Sequence, residues 1–128
     1  MNALLDTHTF LWWNLDDPQL SPTARQFIQD GRNQVYLSAA SAWEIAIKTA
    51  KGRLSLPENP ERYVANRMAH YHFLPLPIQL SHALEVYSLP DIHSDPFDRL
   101  LIAQSLLEGL PIITSDVEIS RYPVSVIW

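Results

Sequence analysis

The chain has 128 residues, 47% of them hydrophobic, with a net charge of −5 and no cysteine. That is enough for one core and too little for two ordinary domains, so a single domain over residues 1–128 is expected. The missing cysteines exclude disulfides, thiol catalysis and cysteine-ligated metal sites, and the acidic balance (pI ≈ 5.4) argues against coating nucleic acid by bulk charge.

In chain order, Ala3-Leu4-Leu5 reads as a short buried strand closed by Asp6, followed by a short helix over Thr7 to Trp13. Ser21 and Pro22 open a second helix running to about Asp30, as N-cap and first helical residue. Val35-Tyr36-Leu37 is a second β-rich run. From Ala39 to Lys51, Ala39, Ala42, Trp43, Ala46, Ile47 and Ala50 recur at helical spacing, and Gly52 supplies the stop. After a loop over Leu54 to Pro60, Asn59 caps a helix from Pro60 to about His70. Phe73 to Pro77 reads as an extended edge segment, and a shorter helix lies around Ser81 to Tyr87. Asp95-Pro96-Phe97-Asp98 opens an apolar helix ended by Gly109, expected to be buried nearly all round. Ile112 to Thr114 and Val124 to Trp128 are the last strands. Strand and helix alternate, so the fold class is α/β with a mainly parallel sheet covered on both faces. No run is long and apolar enough to span a bilayer and no basic leader precedes Asp6, so a cytoplasmic protein is expected.

Four acids, Asp6, Glu44, Asp98 and Asp116, sit at or near the ends of these apolar runs, with Asp95 beside the third. Ligands in open α/β sheets collect at the carboxyl ends of strands, where Asp6 and Asp116 emerge. Two carboxylates ~4 Å apart repel by roughly 4 kcal/mol at an effective dielectric of ~20, so a pocket gathering all four calls for a hard divalent cation. Each acid also has a plain structural explanation. Asp6 suits a helix cap, and Asp116 suits a turn. Ser41 to Glu44 matches a capping box, and Glu44 with Lys48 makes an i,i+4 pair. Asp95 suits N-cap, with Asp98 favoured at the third helical position by the helix dipole. If Asp95 caps, Asp98 is free to point towards the strand ends and is the preferred ligand of the two. Lys48, Lys51, Arg53, Arg62, Arg67 and Arg99 are candidates for a basic rim that holds phosphates.

The five histidines lack the HExxH zinc spacing and are expected at surface or capping positions, with His93 the best outside candidate for the site because it lies close to Asp95. With three glycines there is no Walker or GxGxxG loop. A phosphatase of the haloacid dehalogenase type would place a second aspartate two residues after Asp6, where His8 stands. A non-catalytic interaction domain, its acids serving as caps and surface pairs, stays open as the alternative.

Taken together, Leu4-Leu5-Asp6-Thr7-His8, Ser41 to Lys48, Lys51 to Pro57, His93 to Gln104 and Thr114-Ser115-Asp116 resemble, in this order, the PIN-domain ribonucleases, specifically the VapC-like toxins of toxin–antitoxin pairs. The resemblance covers essentially the whole chain. It implies a three-layer α/β/α sandwich and a magnesium- or manganese-dependent endoribonuclease acting on RNA. It implies Asp6, Glu44, Asp98 and Asp116 as the acids, with Thr114 in support and Asp95 competing for the third place. It further implies a homodimer silenced by a small cognate antitoxin. Trp12, Trp13 and Tyr36 could stack on single-stranded RNA, but core packing is the preferred account of them.

Overall fold

Strand order puts the chain's first apolar run in the middle of the sheet. The structure, a computed structural model, describes residues 1–128. Five strands, β1 (Asn2–Leu5), β2 (Gln34–Ser38), β3 (Leu74–Leu76), β4 (Ile112–Ile113) and β5 (Val126–Ile127), lie in the order β3-β2-β1-β4-β5. Every pairing is parallel. The last strand is shorter than the expected Val124 to Trp128, its ladder limited to Val126 and Ile127 opposite the two residues of β4.

Six helices connect and cover the strands: α1 (Thr7–Leu15), α2 (Pro22–Gln29), α3 (Ala39–Ala50), α4 (Pro60–Tyr71), α5 (Leu80–Glu85) and α6 (Pro96–Glu108). Their starts follow local chemistry. Ser21 and Asn59 accept from the backbone N–H groups of Ala24 and Arg62, each with proline at the first helical position. Gly109 ends α6 at φ 66°, a left-handed conformation that glycine enters without Cβ strain. The helix expected around Ser81 to Tyr87 divides into α5 and a 3-10 turn over Val86–Ser88.

Alternate residues of the strands face opposite layers, as the pleat requires. Ala3, Leu5, Val35, Leu37 and Ile113 pack with Phe10, Leu20, Ala24, Ile28, Ile45 and Tyr63 on one side. On the other, Leu4 packs with Ala40, Leu76 and Leu101, and Ile112 with Leu89, Ile102, Ala103, Ile119 and Tyr122. Each such aliphatic side chain contributes about 1.5–3 kcal/mol when fully buried. This is the three-layer α/β/α sandwich. Trp12 and Trp13 pack against the first cluster and Tyr36 against the third, in agreement with core roles.

Two expectations are corrected. The helix α6 is not buried all round: Leu101 to Ser105 are inside, while Leu107 is 44% exposed and Leu100 and Leu106 are half-buried. The capping box at Ser41 to Glu44 does not form, because α3 begins at Ala39 and Ser38 caps it, its hydroxyl accepting from the Ala40 N–H at 2.9 Å. Ser41 and Glu44 therefore lie inside the helix and both are buried. No helix is long and apolar enough to cross a membrane.

Candidate metal centre

The register of the sheet decides what stands beside Asp6. Leu5 pairs with Leu37 on β2 and with Ile113 on β4, so the residue after each of these, Asp6, Ser38 and Thr114, emerges at the same carboxyl edge. The Asp6 N–H closes the ladder on the Ile113 carbonyl at 3.2 Å. Asp6 then caps α1, its Oδ1 accepting from the Thr9 N–H at 2.8 Å. Its Oδ2 accepts from the Thr114 hydroxyl at 2.5 Å. That hydroxyl oxygen in turn accepts from the Asp116 N–H at 3.0 Å, so one threonine joins the acids that follow β1 and β4. Burial pushes the Asp6 carboxyl above the usual carboxylate range, against the opposing pull of the bonds from Thr114 and Thr9.

Glu44 reaches the same edge from the second turn of α3 and is 3% exposed. The Thr7 hydroxyl donates to its Oε1 at 2.7 Å, and Lys48 pairs with its Oε2. The i,i+4 pair read from the sequence is present, but its acid is buried rather than on the surface.

Asp98 is brought in by the start of α6. Asp95 caps that helix, its Oδ1 accepting from the N–H groups of Phe97 (2.8 Å) and Asp98 (3.1 Å). With the cap supplied by Asp95, the Asp98 side chain is left to face His93, its Oδ2 lying 3.0 Å from Nε2. Burial first, and then the negative charge of Asp95, pushes the Asp98 carboxyl up to about 7, with Asp6 and Glu44 adding to the rise and His93 opposing it. Asp98 thus sits in the combined field of three other carboxylates. Capping accounts for Asp95 and for one oxygen of Asp6; it does not account for this crowding.

Asp116 completes the edge. Its Oδ1 accepts from the Glu118 N–H at 2.8 Å and its Oδ2 lies 2.9 Å from His93 Nε2. One ligand atom each from His93, Asp98 and Asp116 fall within 4.8 Å of one another. His93 was expected at a surface or capping position; it is instead 9% exposed and between two acids. Burial lowers its pKa, but the bond to Asp116 and the charges of Asp98, Asp116 and Glu118 outweigh burial and raise it. The only sequence signal for it is its place two residues before Asp95. His82 is also buried, its neighbours being Gln104 and Glu108.

The candidate basic rim is smaller than its sequence inventory. Of the six cations, Lys48 alone makes an ion pair with a site acid. Arg99 is committed to the fold, donating to the carbonyls of Pro90 (3.0 Å) and Val86 (3.1 Å) and to the Tyr122 hydroxyl (3.2 Å). The guanidinium of Arg67 lies over the Tyr63 ring at 5.3 Å.

A hard divalent ion fits this donor set. Carboxylate oxygens dominate it, thiols are absent, and the acids crowd closely enough to hold Asp98 partly protonated at neutral pH. Asp98 and Asp116, with His93, bring ligand atoms within 4.8 Å of one another; Asp6 and Glu44 are outside that group and are already hydrogen-bonded.

The PIN domain family matches residues 3–124 of this chain. Ribonuclease VapC22 of Mycobacterium tuberculosis (strain ATCC 25618 / H37Rv) is 30% identical over 115 residues, covering 89% of this chain and 86% of that protein. Ribonuclease VapC16 of the same organism is 47% identical over 58 residues, which are 45% of this chain and 41% of that protein, so the match spans under half of its length. Among solved structures, VapBC2 from Rickettsia felis bound to a DNA fragment from their promoter superposes with a TM-score of 0.70, covering 98% of this chain and 97% of that one at 11% identity. At that identity the likeness speaks for the fold alone.

Proposed function

We propose, from the premise that this chain belongs to the PIN-domain family, that it is a divalent-metal-dependent endoribonuclease and the toxin of a toxin–antitoxin pair. The observation that carries the reading is the Thr114 hydroxyl, 2.5 Å from Asp6 Oδ2 and 3.0 Å from the Asp116 N–H, which ties the acids of two strands into one edge facing Asp98. The ribonuclease names of the two mycobacterial relatives support the activity.

In this reading Asp98 and Asp116 hold magnesium or manganese with Asp6 and Glu44. A bound divalent ion supplies Lewis acidity, making a nucleophile of water at neutral pH and offsetting the charge of a phosphodiester. The chain's own residues do the positioning. Thr9 and Thr114 keep both oxygens of Asp6 in place. Thr7 and Lys48 do the same for Glu44. The Asp95 cap sets the first turn of α6 so that Asp98 projects towards the strand ends.

RNA is the substrate, a small antitoxin that blocks the pocket with a basic side chain is the partner, and the active form is a cytoplasmic homodimer. The antitoxin partner follows from the resemblance of this chain's motifs to the VapC-like toxins.

RNA cleavage by the parent and by Asp6→Asn, each in magnesium, in manganese and in chelator, tests the proposal. Cleavage should require the metal and fall to background in Asp6→Asn. Cleavage that persists in chelator, or that Asp6→Asn retains, would overturn it.

A further inference from the structure

His93 Nε2 stands 2.9 Å from Asp116 Oδ2 and 3.0 Å from Asp98 Oδ2. Distance alone would make this nitrogen a third metal ligand beside the two carboxylates. The other ring nitrogen argues otherwise. Nδ1 lies 3.1 Å from the backbone nitrogen of Asp95, and an amide nitrogen can only donate. Nδ1 is therefore the acceptor, and the single proton of the neutral imidazole is on Nε2. A nitrogen carrying that proton has no lone pair to give a metal. It is a donor to Asp116, with the Asp98 carboxylate oxygen beside it at 3.0 Å.

The ring is held from behind as well. The His93 backbone N–H donates to the Tyr122 hydroxyl at 2.8 Å, and the Ile92 N–H donates to the same oxygen at 3.2 Å. The Tyr122 hydroxyl donates to the Pro90 carbonyl at 3.0 Å. Arg99 donates to both that carbonyl and that hydroxyl. The loop before α6 is thereby pinned to the 3-10 turn over Ile119–Arg121, just after Asp116. Glu118 Oε2, 3.6 Å from Nδ1, is beyond hydrogen-bond reach.

We infer that His93 is a positioning residue of the acidic site: its Nε2–H is bonded to the Asp116 carboxylate with the Asp98 carboxylate 3.0 Å from the same nitrogen, so the ring sets the separation of the two acids for the cation. The inference rests on the metal-site reading given above. Asp98 lies in the first turn of α6 and Asp116 follows β4, so no local geometry relates them. The imidazole does, between segments 23 residues apart at its Asp116 contact. A group one step removed from a metal is typically worth about 10–100-fold in affinity or activity.

Two substitutions separate the donor from the acceptor. In His93→Gln the longer side chain can bring an amide N–H near the Nε2 position. In His93→Asn the shorter one leaves an oxygen near Nδ1 for the Asp95 N–H and offers nothing to the acids. Magnesium and manganese affinity is measured by calorimetry on the parent and both variants, with circular dichroism to confirm folding. In parallel, nitrogen NMR of histidine-labelled parent in magnesium, with the pH raised until the His93 ring shifts stop changing, reads the tautomer of the neutral ring. The expected results are an Nε2–H tautomer for His93, affinity in His93→Gln near that of the parent, and a loss of about tenfold or more in His93→Asn. An Nδ1–H tautomer, equal affinity in His93→Asn and the parent, or a His93→Gln variant as weak as His93→Asn would overturn the inference while leaving the metal site standing. A parent that binds neither metal would instead remove the metal-site reading and this inference with it.

Discussion

Glu44 has both carboxylate oxygens partnered inside the protein: the Thr7 hydroxyl meets Oε1 at 2.7 Å and Lys48 meets Oε2. Lys48 is thus an internal counter-ion to a buried acid, standing where a divalent ion would also lower the local charge. Replacing it should expose the cost of that acid. Lys48→Met should destabilise the metal-free protein, towards the lower end of the about 1–3 kcal/mol for a buried group left unpaired, since Lys48 is itself partly exposed. Thermal melts check this. Magnesium should restore more stability to Lys48→Met than it adds to the parent, and identical melts in chelator would count against the pairing.

The acids themselves should divide by role. Asp6→Asn, Glu44→Gln, Asp98→Asn and Asp116→Asn should each lower metal-dependent RNA cleavage by about a hundredfold or more, since even residues one step from a metal are worth about 10–100-fold. Asp95→Ala should cost about 1 kcal/mol of stability through the lost cap, with a smaller loss of cleavage. Initial-rate assays beside melts decide it; full activity in Asp98→Asn with loss in Asp95→Ala would exchange the two roles.

The crowding of carboxylates predicts the sign of a pH effect in chelator. The folded Asp98 carboxyl titrates at about 7, against about 3.9 when unfolded. Between those values the native state holds a proton that the unfolded chain has released, so stability must fall as pH rises through this window. The raised pKa values of Asp6 and His93 act in the same direction. The metal-free parent should therefore melt lower at pH 8 than at pH 5, to the extent that other groups do not titrate differently between states. Asp98→Asn should flatten the slope. A parent that gains stability over this range, with Asp98→Asn unchanged from it, contradicts the assignment.

Divalent ions should reverse that trend above about pH 7. Ligand that binds only the native state stabilises it by about 2.7 kcal/mol at a hundredfold excess over its dissociation constant. Magnesium or manganese should raise the melting temperature of the parent, and do so less in Asp98→Asn, which in chelator should melt higher than the parent at this pH. If Asp98 served only to favour the helix start, the substitution would lower stability in both conditions.

Tyr122 gives a test at a distance from the acids. Its hydroxyl, held among Pro90, Ile92, His93 and Arg99, touches no carboxylate. Tyr122→Phe should cost about 1–3 kcal/mol for the backbone groups it leaves unpaired. It should also weaken metal binding by loosening the His93 loop, measurable by calorimetry, whereas unchanged affinity would confine the hydroxyl to a stabilising role.

Much of this protein was readable from short-range pattern. Helix caps at Ser21, Asn59 and Asp95, the stop at Gly109 and the alternation of strands with helices all act over a few residues, and sequence spacing records such forces directly. The order of acids at the ends of apolar runs was legible for the same reason. Tertiary structure decided what those acids meet. Thr114 contacts Asp6 across 108 residues of sequence, and Thr7 contacts Glu44 across 37, because strand order and a parallel register bring those strand ends to one edge. The same placement turned Ser41 and Glu44 from an expected cap into buried residues within α3, the cap having passed to Ser38. The sequence singled out His93 only by its closeness to Asp95 and not its contacts: a lone histidine in a loop carries no periodicity, and its direction is set by the Asp95 N–H and the Tyr122 hydroxyl, which only the folded chain brings to it.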